Sequence, residues 1–311
     1  LIRASYGTGF KAPSMLDIAE PEVPRGVTAA PYDCPFPGTD ACKPGKAQYS
    51  VLSSGNSLLK PEKSKQGTIG IRFEPTVDFG IGADYWQVKI RDAVSAVSAD
   101  QAFANPQKYS TLFKTYRTPA ETQDYWAFLS ASTNIGRAIN SGIDWDVVAR
   151  FNTQIGRLTT GLAGTYVIDS SYTRPGTDND FTDSLNKYGE NAAVTFRNIV
   201  RATATLDSGP WSNTLTMKFR NGYTDKNTTV RDVASNKNVN ISLHVPRYIT
   251  FDWQGTYKYS KDVELQAGII NIFNKIPPFT LRDSSGHQVG YDPRYADPFL
   301  RTLYLSGTFK F

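Results

Sequence analysis

The chain is 311 residues long, carries a net charge of +5 and is 13% aromatic. No segment approaches the roughly 18 unbroken apolar residues that a transmembrane helix needs, so strands would have to perform any membrane-spanning role. No run of Lys or Arg favours binding to nucleic acid, and the many Tyr, Phe, Gly and Thr residues favour an all-β protein.

Apolar and polar residues alternate along almost the whole chain, and this alternation predicts ten strands. In the run 248–259, Ile249 and Phe251 lie on one face, whereas Thr250 and Asp252 lie on the other. Such runs exceed the about five or six residues of an ordinary strand and match the roughly 9–11 residues of a tilted membrane strand. The predicted strands are 1–8, 66–73, 79–91, 135–151, 157–169, 192–206, 212–222, 247–259, 262–273 and 300–311.

The connections between these strands alternate in length. The short ones are 74–78, 152–156, 207–211 and 260–261, and the long ones are 9–65, 92–134, 170–191, 223–246 and 274–299. A soluble β-sandwich also alternates, but its strands are shorter and its loops lack this regularity. Short turns at one end and long loops at the other are typical of outer-membrane barrels. We therefore expect an all-β, antiparallel transmembrane β-barrel whose long loops face the cell exterior.

Two cysteines, Cys34 and Cys42, lie eight positions apart in a loop rich in Pro and Gly. A close pair with no His nearby predicts a loop-stapling disulfide rather than a metal site, with two free thiols as the alternative. A disulfide would indicate an oxidising compartment such as the periplasm or the cell surface.

Several segments resemble the TonB-dependent outer-membrane receptor family. The final strand alternates Leu303, Leu305 and Phe309 and stops on Phe311, which looks like the signal that outer-membrane proteins present to the barrel-assembly machinery. The other segments, in the order that the family has them, are Ser5–Ser14, Asn56–Ser64 (with Ser57 where the family usually has Pro), Asn134–Asp144, Asn271–Pro277 and Tyr291–Arg294.

The resemblance implies a full-length receptor with more strands and domains than these 311 residues contain. The family has a 22-stranded barrel in the outer membrane of Gram-negative bacteria, plugged by an N-terminal domain that contacts TonB. Residues 1–311 would then be the C-terminal portion, about ten strands of a probable 22, with the plug and the first strands absent from this chain. The expected partners are the cargo, TonB through that missing region, the barrel-assembly machinery through Phe311, and outer-membrane lipid.

A complete ten-stranded barrel is the structural alternative, because ten-stranded omptin surface proteases exist. The histidines His244 and His287 lie in long loops and belong to no recognisable carboxylate pair. The acidic segment Asp178–Asp183 lacks the spacing of a calcium loop and is predicted to be a solvated loop. We therefore expect no catalytic residues, no metal site and no cofactor.

The resemblance implies a transporter for a scarce nutrient, and a ferric siderophore is the commonest cargo in the family. No His lies between Phe10 and Leu59, which argues against haem; cobalamin is a further possibility, and a passive porin is the alternative function.

Aromatic residues can stack on planar ligands and Arg can neutralise an anionic complex. Rim aromatics and solvated arginines are the alternative interpretation. The candidate ligand-binding residues are Tyr32, Tyr116, Arg117, Trp126, Tyr172, Arg174, Arg231, Tyr291 and Arg294.

Overall fold

Ten long antiparallel strands form one sheet in a computed structural model that describes residues 1–174, 177, 179–191, 193–281 and 290–310. Each strand pairs with its neighbours in sequence, and the first and last strands form the two ends of the sheet. The ten predicted strands are therefore confirmed, and the chain forms a partial barrel. Their bounds are β1 Ile2–Lys11, β2 Glu62–Thr76, β3 Phe79–Arg91, β4 Arg137–Thr153, β5 Gly156–Thr173, β6 Asn198–Ser208, β7 Trp211–Arg220, β8 Tyr248–Lys258, β9 Val263–Ile270 and β10 Thr302–Phe309.

The register places apolar residues on one face of the sheet and polar residues on the other. Met217 on β7 lies opposite Phe251 on β8, and the next pair, Thr216 and Asp252, occupies the other face. Many apolar side chains of the first face are exposed in the chain by itself, including Leu303 and Leu305. Because successive side chains of a strand point to opposite faces, the apolar face is the lipid-facing side and the polar face lines the lumen.

Five strands differ from the prediction by three or more residues at the long-loop end. The predicted strand 192–206 begins only at Asn198, because the Asn221 side chain accepts from the Asn198 backbone N–H at 2.7 Å and takes the place of a ladder partner. Val194 and Phe196 are buried beneath the loops instead of facing lipid. The predicted strand 262–273 ends at Ile270, whereas β1, β2 and β5 are longer than expected and shorten the loops that they flank.

The long connections contain additional secondary structure. The mixed sheet of Val23–Val27, Ser50–Ser53, Tyr125–Ser130 and Phe113–Tyr116 is built from the first two long loops. Smaller pairs join Val94–Ala96 with Ser132–Asn134, Tyr223–Thr224 with His244–Val245, and Thr228–Arg231 with Asn238–Ile241, while Phe181–Asp183 pairs with β5. The helices are α1 Met15–Ala19, α2 Ala99–Ala104 and a 3₁₀ turn at Ser110–Leu112.

Both α-helices begin with a capping box. The Ser14 hydroxyl accepts from the N–H of Asp17 in α1, and Ser98 accepts from Gln101 in α2, which satisfies backbone donors that a helix start leaves free. Among the described residues, no helix is long and apolar enough to cross a membrane.

The first two long loops share a hydrophobic core. Its buried members include Ala102, Leu112, Phe113 and Phe128, and the ring of Phe36 packs against Phe113 edge-on at 5.5 Å. We call the unit formed by residues 12–61 and 92–136 the loop body. Its core lies outside the ladder of the barrel, so the two loops are held by contacts with each other.

Candidate functional site at the mouth of the barrel

Charged side chains on the lumenal face form ion pairs between strands that are neighbours or are separated by one strand. Arg72 on β2 contacts Asp146 on β4 at 3.0 Å, and Lys218 on β7 contacts Asp252 on β8 at 2.6 Å. Arg201 on β6 lies on the same face, directly opposite Lys218, and has no ion-pair partner within the described ranges. The upper lumenal wall therefore carries uncompensated positive charge.

A cavity of about 570 Å³ opens between this wall and the segment 290–300. Its lining combines cations, aromatic rings and two carboxylates. The members that carry these groups are Arg201, Lys218, Arg220, Arg294, Phe219, Tyr248, Tyr295, Phe299, Asp252 and Asp297. The volume lies within the range of about 300–1,000 Å³ that is usual for small-molecule sites.

The segment 290–300 is held against the wall by hydrogen bonds. Arg220 donates from Nη1 to the carbonyl oxygen of Tyr295 at 2.6 Å, and the Tyr295 hydroxyl accepts from the Val194 N–H at 2.8 Å. The Tyr295 ring packs edge-on against Phe196 at 5.0 Å and lies 6.3 Å from Tyr223. Burial, with the nearby charge of Asp225, raises the pKa of Tyr223, so the Tyr223 hydroxyl stays neutral.

Arg294 and Asp292 form an ion pair at the rim of the cavity. Arg294 donates from Nη2 to Asp292 Oδ2 at 2.7 Å, and Asp292 is buried. This hydrogen bond raises the pKa of the Arg294 guanidinium above its ordinary value. The guanidinium lies over the ring of Tyr295 at 4.9 Å, so the cation is oriented by both groups.

Two of the candidate residues, Tyr32 and Trp126, lie in the loop body. Tyr32 stacks on Phe103 at 4.3 Å and donates its hydroxyl to Asp100 at 2.5 Å. Trp126 packs against Phe36 at 4.8 Å and donates from Nε1 to the Thr39 hydroxyl at 2.9 Å. Both rings have structural partners, so they help to hold the loop body together.

The predicted disulfide between Cys34 and Cys42 is present. It closes a short loop whose backbone carbonyl groups accept hydrogen bonds from the start of the strand Tyr125–Ser130. The Trp126 N–H donates to the carbonyl of Ala41 at 3.0 Å. The Gln123 amide donates to the carbonyl of Asp40 at 3.0 Å. The disulfide therefore fixes the segment that inserts Phe36 into the core of the loop body.

The other candidate residues are distributed over separate loops. Arg117 pairs with Asp124 at 3.0 Å beside the half-buried Tyr116, and Arg231 donates to Asn236 at 2.8 Å in an exposed hairpin. Tyr172 accepts from the Asn191 N–H at 3.0 Å through its hydroxyl. Arg174 pairs with Asp180 at 3.0 Å and also with Glu190, and Tyr291 is half-buried next to Asp292.

Of the nine candidates, Arg294 alone lines the mouth cavity. Sequence reasoning missed Arg201, Arg220, Tyr248 and Tyr295. The alternation gave a usable signal for the three strand residues, because it places Arg201, Arg220 and Tyr248 on the lumenal face near the long-loop end. It gave none for Tyr295, whose position depends on how its loop folds back.

No cluster of three or more His, Cys, Asp or Glu side chains suited to a metal occurs in the described parts of the chain. His244 is exposed and pairs through its backbone with Thr224, while His287, Asp178 and Phe311 lie outside the described residues. In the predicted solvated loop, Asp183 pairs with Lys187 at 2.9 Å.

The sequence profile of the TonB dependent receptor-like β-barrel family matches residues 1–272, which is more than half of the chain. The chain belongs to the TonB-dependent receptor family. No curated protein sequence matches this receptor chain. The resemblance seen in the sequence motifs is thus confirmed, and the family is one of receptors and transporters.

Solved structures with a similar fold include siderophore receptors and an iron transporter. The siderophore receptor PirA from Acinetobacter baumannii has a TM-score of 0.65 at 16% identity, covering 100% of this chain and 39% of PirA. A variant of the ferric enterobactin receptor PfeA from Pseudomonas aeruginosa, in complex with enterobactin, has a TM-score of 0.65 at 19% identity, covering 100% and 38%. The FrpB iron transporter from Neisseria meningitidis has a TM-score of 0.53 at 12% identity, covering 84% and 33%.

At such low identities, the TM-scores establish a shared fold and no more. The receptor chain spans about two fifths of the length of PirA.

Proposed function

We propose that the full-length receptor imports a ferric siderophore across the outer membrane of a Gram-negative bacterium. TonB would power this import through a plug domain that is not part of the 311 residues. Membership of the TonB-dependent receptor family supports uptake of a scarce nutrient. Similarity in fold to PirA and to PfeA, which are named as a siderophore receptor and a ferric enterobactin receptor, favours a siderophore as that nutrient.

The mouth cavity is the observation that carries this proposal. Four cations and four aromatic residues line it, while only two carboxylates are present. A ferric complex of catecholate ligands is a bulky anion with planar rings. Arg can neutralise the charge and stack on such rings, and Tyr and Phe add apolar contact area. A volume of about 570 Å³ suits a compact metal chelate.

Within this proposal, Arg201 and Arg294 contact the anionic complex and Tyr248 packs on its rings. Arg201 has no acidic partner in the described parts of the chain, so its charge is available to a ligand. Arg294 already neutralises Asp292 and is oriented by it. The remaining eight sequence candidates, from Tyr32 to Tyr291, would shape the loops above the cavity rather than supply the first contacts.

Binding of ferric enterobactin, used as the probe, to the full-length receptor tests the site. Arg201→Gln should weaken binding by roughly tenfold, because a hydrogen bond to a charged group contributes about 1.5–3 kcal/mol. Lys261→Gln is the matched control: it removes one exposed cation in the short turn at the other end of the barrel, and it should leave binding unchanged. Equal binding by both variants would exclude the cavity as the ligand site.

Energised transport requires a separate measurement. Uptake of radioactive iron by cells that express the receptor should stop when the proton-motive force is dissipated or when TonB is deleted. Uptake that persists in both conditions would instead identify a passive, porin-type channel.

We also propose that β10 presents the barrel to the assembly machinery. Its outward side chains Leu303, Leu305 and Phe309 are largely exposed and alternate with polar residues. Deleting Phe311 from the full-length receptor should lower the amount of folded protein in the outer membrane, measured by heat-modifiable mobility on gels.

A further inference from the structure

Five cations lie together on the lipid-facing side of the sheet, at the end that carries the long loops. Lys63 on β2 is directly opposite Arg91 on β3, and Arg91 is directly opposite Arg137 on β4. One row closer to the middle of the barrel, Lys65 is directly opposite Lys89. We call these five residues the outer cationic cluster.

The register fixes the direction in which the outer cationic cluster points. Lys63 and Lys65 share a face of β2 with the exposed apolar residues Ile69 and Ile71, because side chains two positions apart lie on the same face. On β3, Lys89 and Arg91 likewise share a face with the exposed Ile81 and Tyr85. The cluster therefore faces outward, on the opposite side of the wall from the mouth cavity.

Direct juxtaposition of these cations is energetically unfavourable. Directly opposed side chains on neighbouring strands have Cβ atoms about 4.5–5.5 Å apart, and like charges at that distance destabilise the pairing. No carboxylate of the described residues forms an ion pair with any of the five. The nearby Glu62 faces the other side, where it contacts Lys11 at 3.6 Å and accepts from the Val94 N–H. Arg137 donates to the neutral amide of Asn179 at 3.4 Å.

Several cations on the loops at this end of the barrel have acidic partners within the chain. Arg174, for example, contacts both Asp180 and Glu190, and Lys187 contacts Asp183. The outer cationic cluster differs from them because it places five cations directly side by side with no carboxylate partner among the described residues. This arrangement indicates that the counter-charge is supplied by another molecule.

The position of the cluster identifies the kind of molecule. The exposed aromatic residues Tyr6 and Tyr85 lie just below it, and aromatic residues on a barrel's outer face mark the level of the lipid head groups. Beside Lys63 and Lys65, the ring of Phe10 borders a shallow pocket of about 310 Å³ that the four lysine and arginine side chains of β2 and β3 line. This pocket combines an apolar wall with cations at the head-group level.

We propose that the outer cationic cluster binds the phosphate groups of a multiply phosphorylated lipid in the surrounding outer leaflet. Lys and Arg together would contact phosphate oxygens through charge-assisted hydrogen bonds, and Phe10 would contact the adjoining apolar part of the lipid. Basic pockets on membrane proteins recognise phosphorylated head groups by the same means. This inference rests on the outer-membrane location in the proposed function, but it is independent of the cargo.

The test uses the full-length receptor in detergent, with diphosphoryl lipid A as the probe and native mass spectrometry as the readout. The amount of lipid that stays bound to the double variant Lys65→Gln/Lys89→Gln should be at least about tenfold lower than for the unchanged receptor, because two charged donors are lost. Lys237→Gln/Lys261→Gln removes the same charge from an exposed loop and an exposed turn, and it should retain the lipid fully. Lys65→Arg/Lys89→Arg should also retain it, which separates loss of charge from damage to the fold.

Three results decide the proposal. Equal lipid retention by the two double Gln variants would overturn it. Displacement of the lipid by millimolar inorganic phosphate would also overturn it, because the cluster would then be a site for free anions. Siderophore uptake by Lys65→Gln/Lys89→Gln should match that of the unchanged receptor, so this proposal and the proposed transport function can fail separately.

Discussion

Arg220 donates from Nη1 to the carbonyl oxygen of Tyr295 at 2.6 Å, and this bond attaches the last long loop to the lumenal wall. Arg220 ends β7, whereas Tyr295 lies 75 residues later. The same guanidinium lies 5.8 Å from the ring centre of Phe196, which packs against Tyr295. One side chain therefore positions both the backbone and the aromatic packing that close the mouth cavity on one side.

Replacing Arg220 should release this segment. Arg220→Met keeps the aliphatic stem but removes the donor, and loss of a charged hydrogen bond costs about 1.5–3 kcal/mol. We expect faster hydrogen exchange at Tyr295 and Ala296, whose N–H groups donate to the Asp292 carbonyl. Arg157→Met is the control, because Arg157 pairs with Asp78 at the short-turn end. Unchanged exchange in the Arg220 variant would show that the bond does not hold the loop.

The two faces of β4 allow one substitution to be compared at neighbouring positions. Val147 lies opposite Ile81 and Leu162 on the lipid-facing side, whereas Val148 lies on the lumenal side opposite two glycines, Gly80 and Gly161. Val147→Arg should lower the free energy of unfolding by about 2–4 kcal/mol, the cost of a cation on the lipid face near the midplane. Val148→Arg should cost far less, since the glycines leave space and the lumenal face is polar.

Urea unfolding of the full-length receptor in lipid vesicles measures both variants. If the two substitutions were equally destabilising, the assignment of the faces would be wrong.

Removing the disulfide should loosen the loop body and leave the barrel strands unaffected. In Cys34→Ser/Cys42→Ser, the free energy of local opening should fall by roughly 2–3 kcal/mol, as expected for closing a short loop. Hydrogen exchange at the Trp126 N–H, which donates to Ala41, reports this opening. Amides of β6 and β7 serve as the internal control. Two freely alkylated cysteines in the unchanged protein would contradict the disulfide itself.

Tyr32 should titrate at unusually high pH. Its hydrogen bond to Asp100, together with burial, raises the pKa of Tyr32 to about 12. Because the pKa in the folded state lies above the ordinary value of about 10, the stabilisation is complete below pH ~10 and is lost as the pH rises through the folded-state value. The ultraviolet absorbance titration of the receptor minus that of Tyr32→Phe isolates this group. Asp100→Asn should lower the pKa; a Tyr32 titration at the ordinary value in the unchanged protein would refute the bond.

Much of the barrel could be predicted from the sequence because each long strand repeats one local rule. Phe251 and Asp252 differ in polarity, and that difference alone assigns their faces. The rule fails where tertiary contacts determine the end of a strand. Phe196 continues the alternation of its strand, yet it leaves the ladder and packs beneath Tyr295. The loop body could not be predicted from the alternation either, because the contact of Phe36 with Phe113 joins residues that belong to different loops.

The candidate site was predicted less well than the fold. Tyr32 and Trp126 have the residue types of a ligand pocket, but their partners within the loop body show that aromatic loop residues also build cores. Arg294 was selected as an arginine in a long loop, and it ends the segment Tyr291–Arg294 that resembles a motif of the family. Arg201 has no such motif, and its proposed role depends on the absence of an acidic partner in the described parts of the chain, which only the register reveals.

Energised uptake of iron tests the central claim most directly. Cells lacking their other siderophore receptors would express either the unchanged full-length receptor or its Arg201→Gln variant, and accumulation of radioactive ferric enterobactin would be measured with and without TonB. The account predicts TonB-dependent accumulation by the unchanged receptor and reduced accumulation by the variant at low ligand concentration. Accumulation that is identical with and without TonB, and identical in the two proteins, would contradict it.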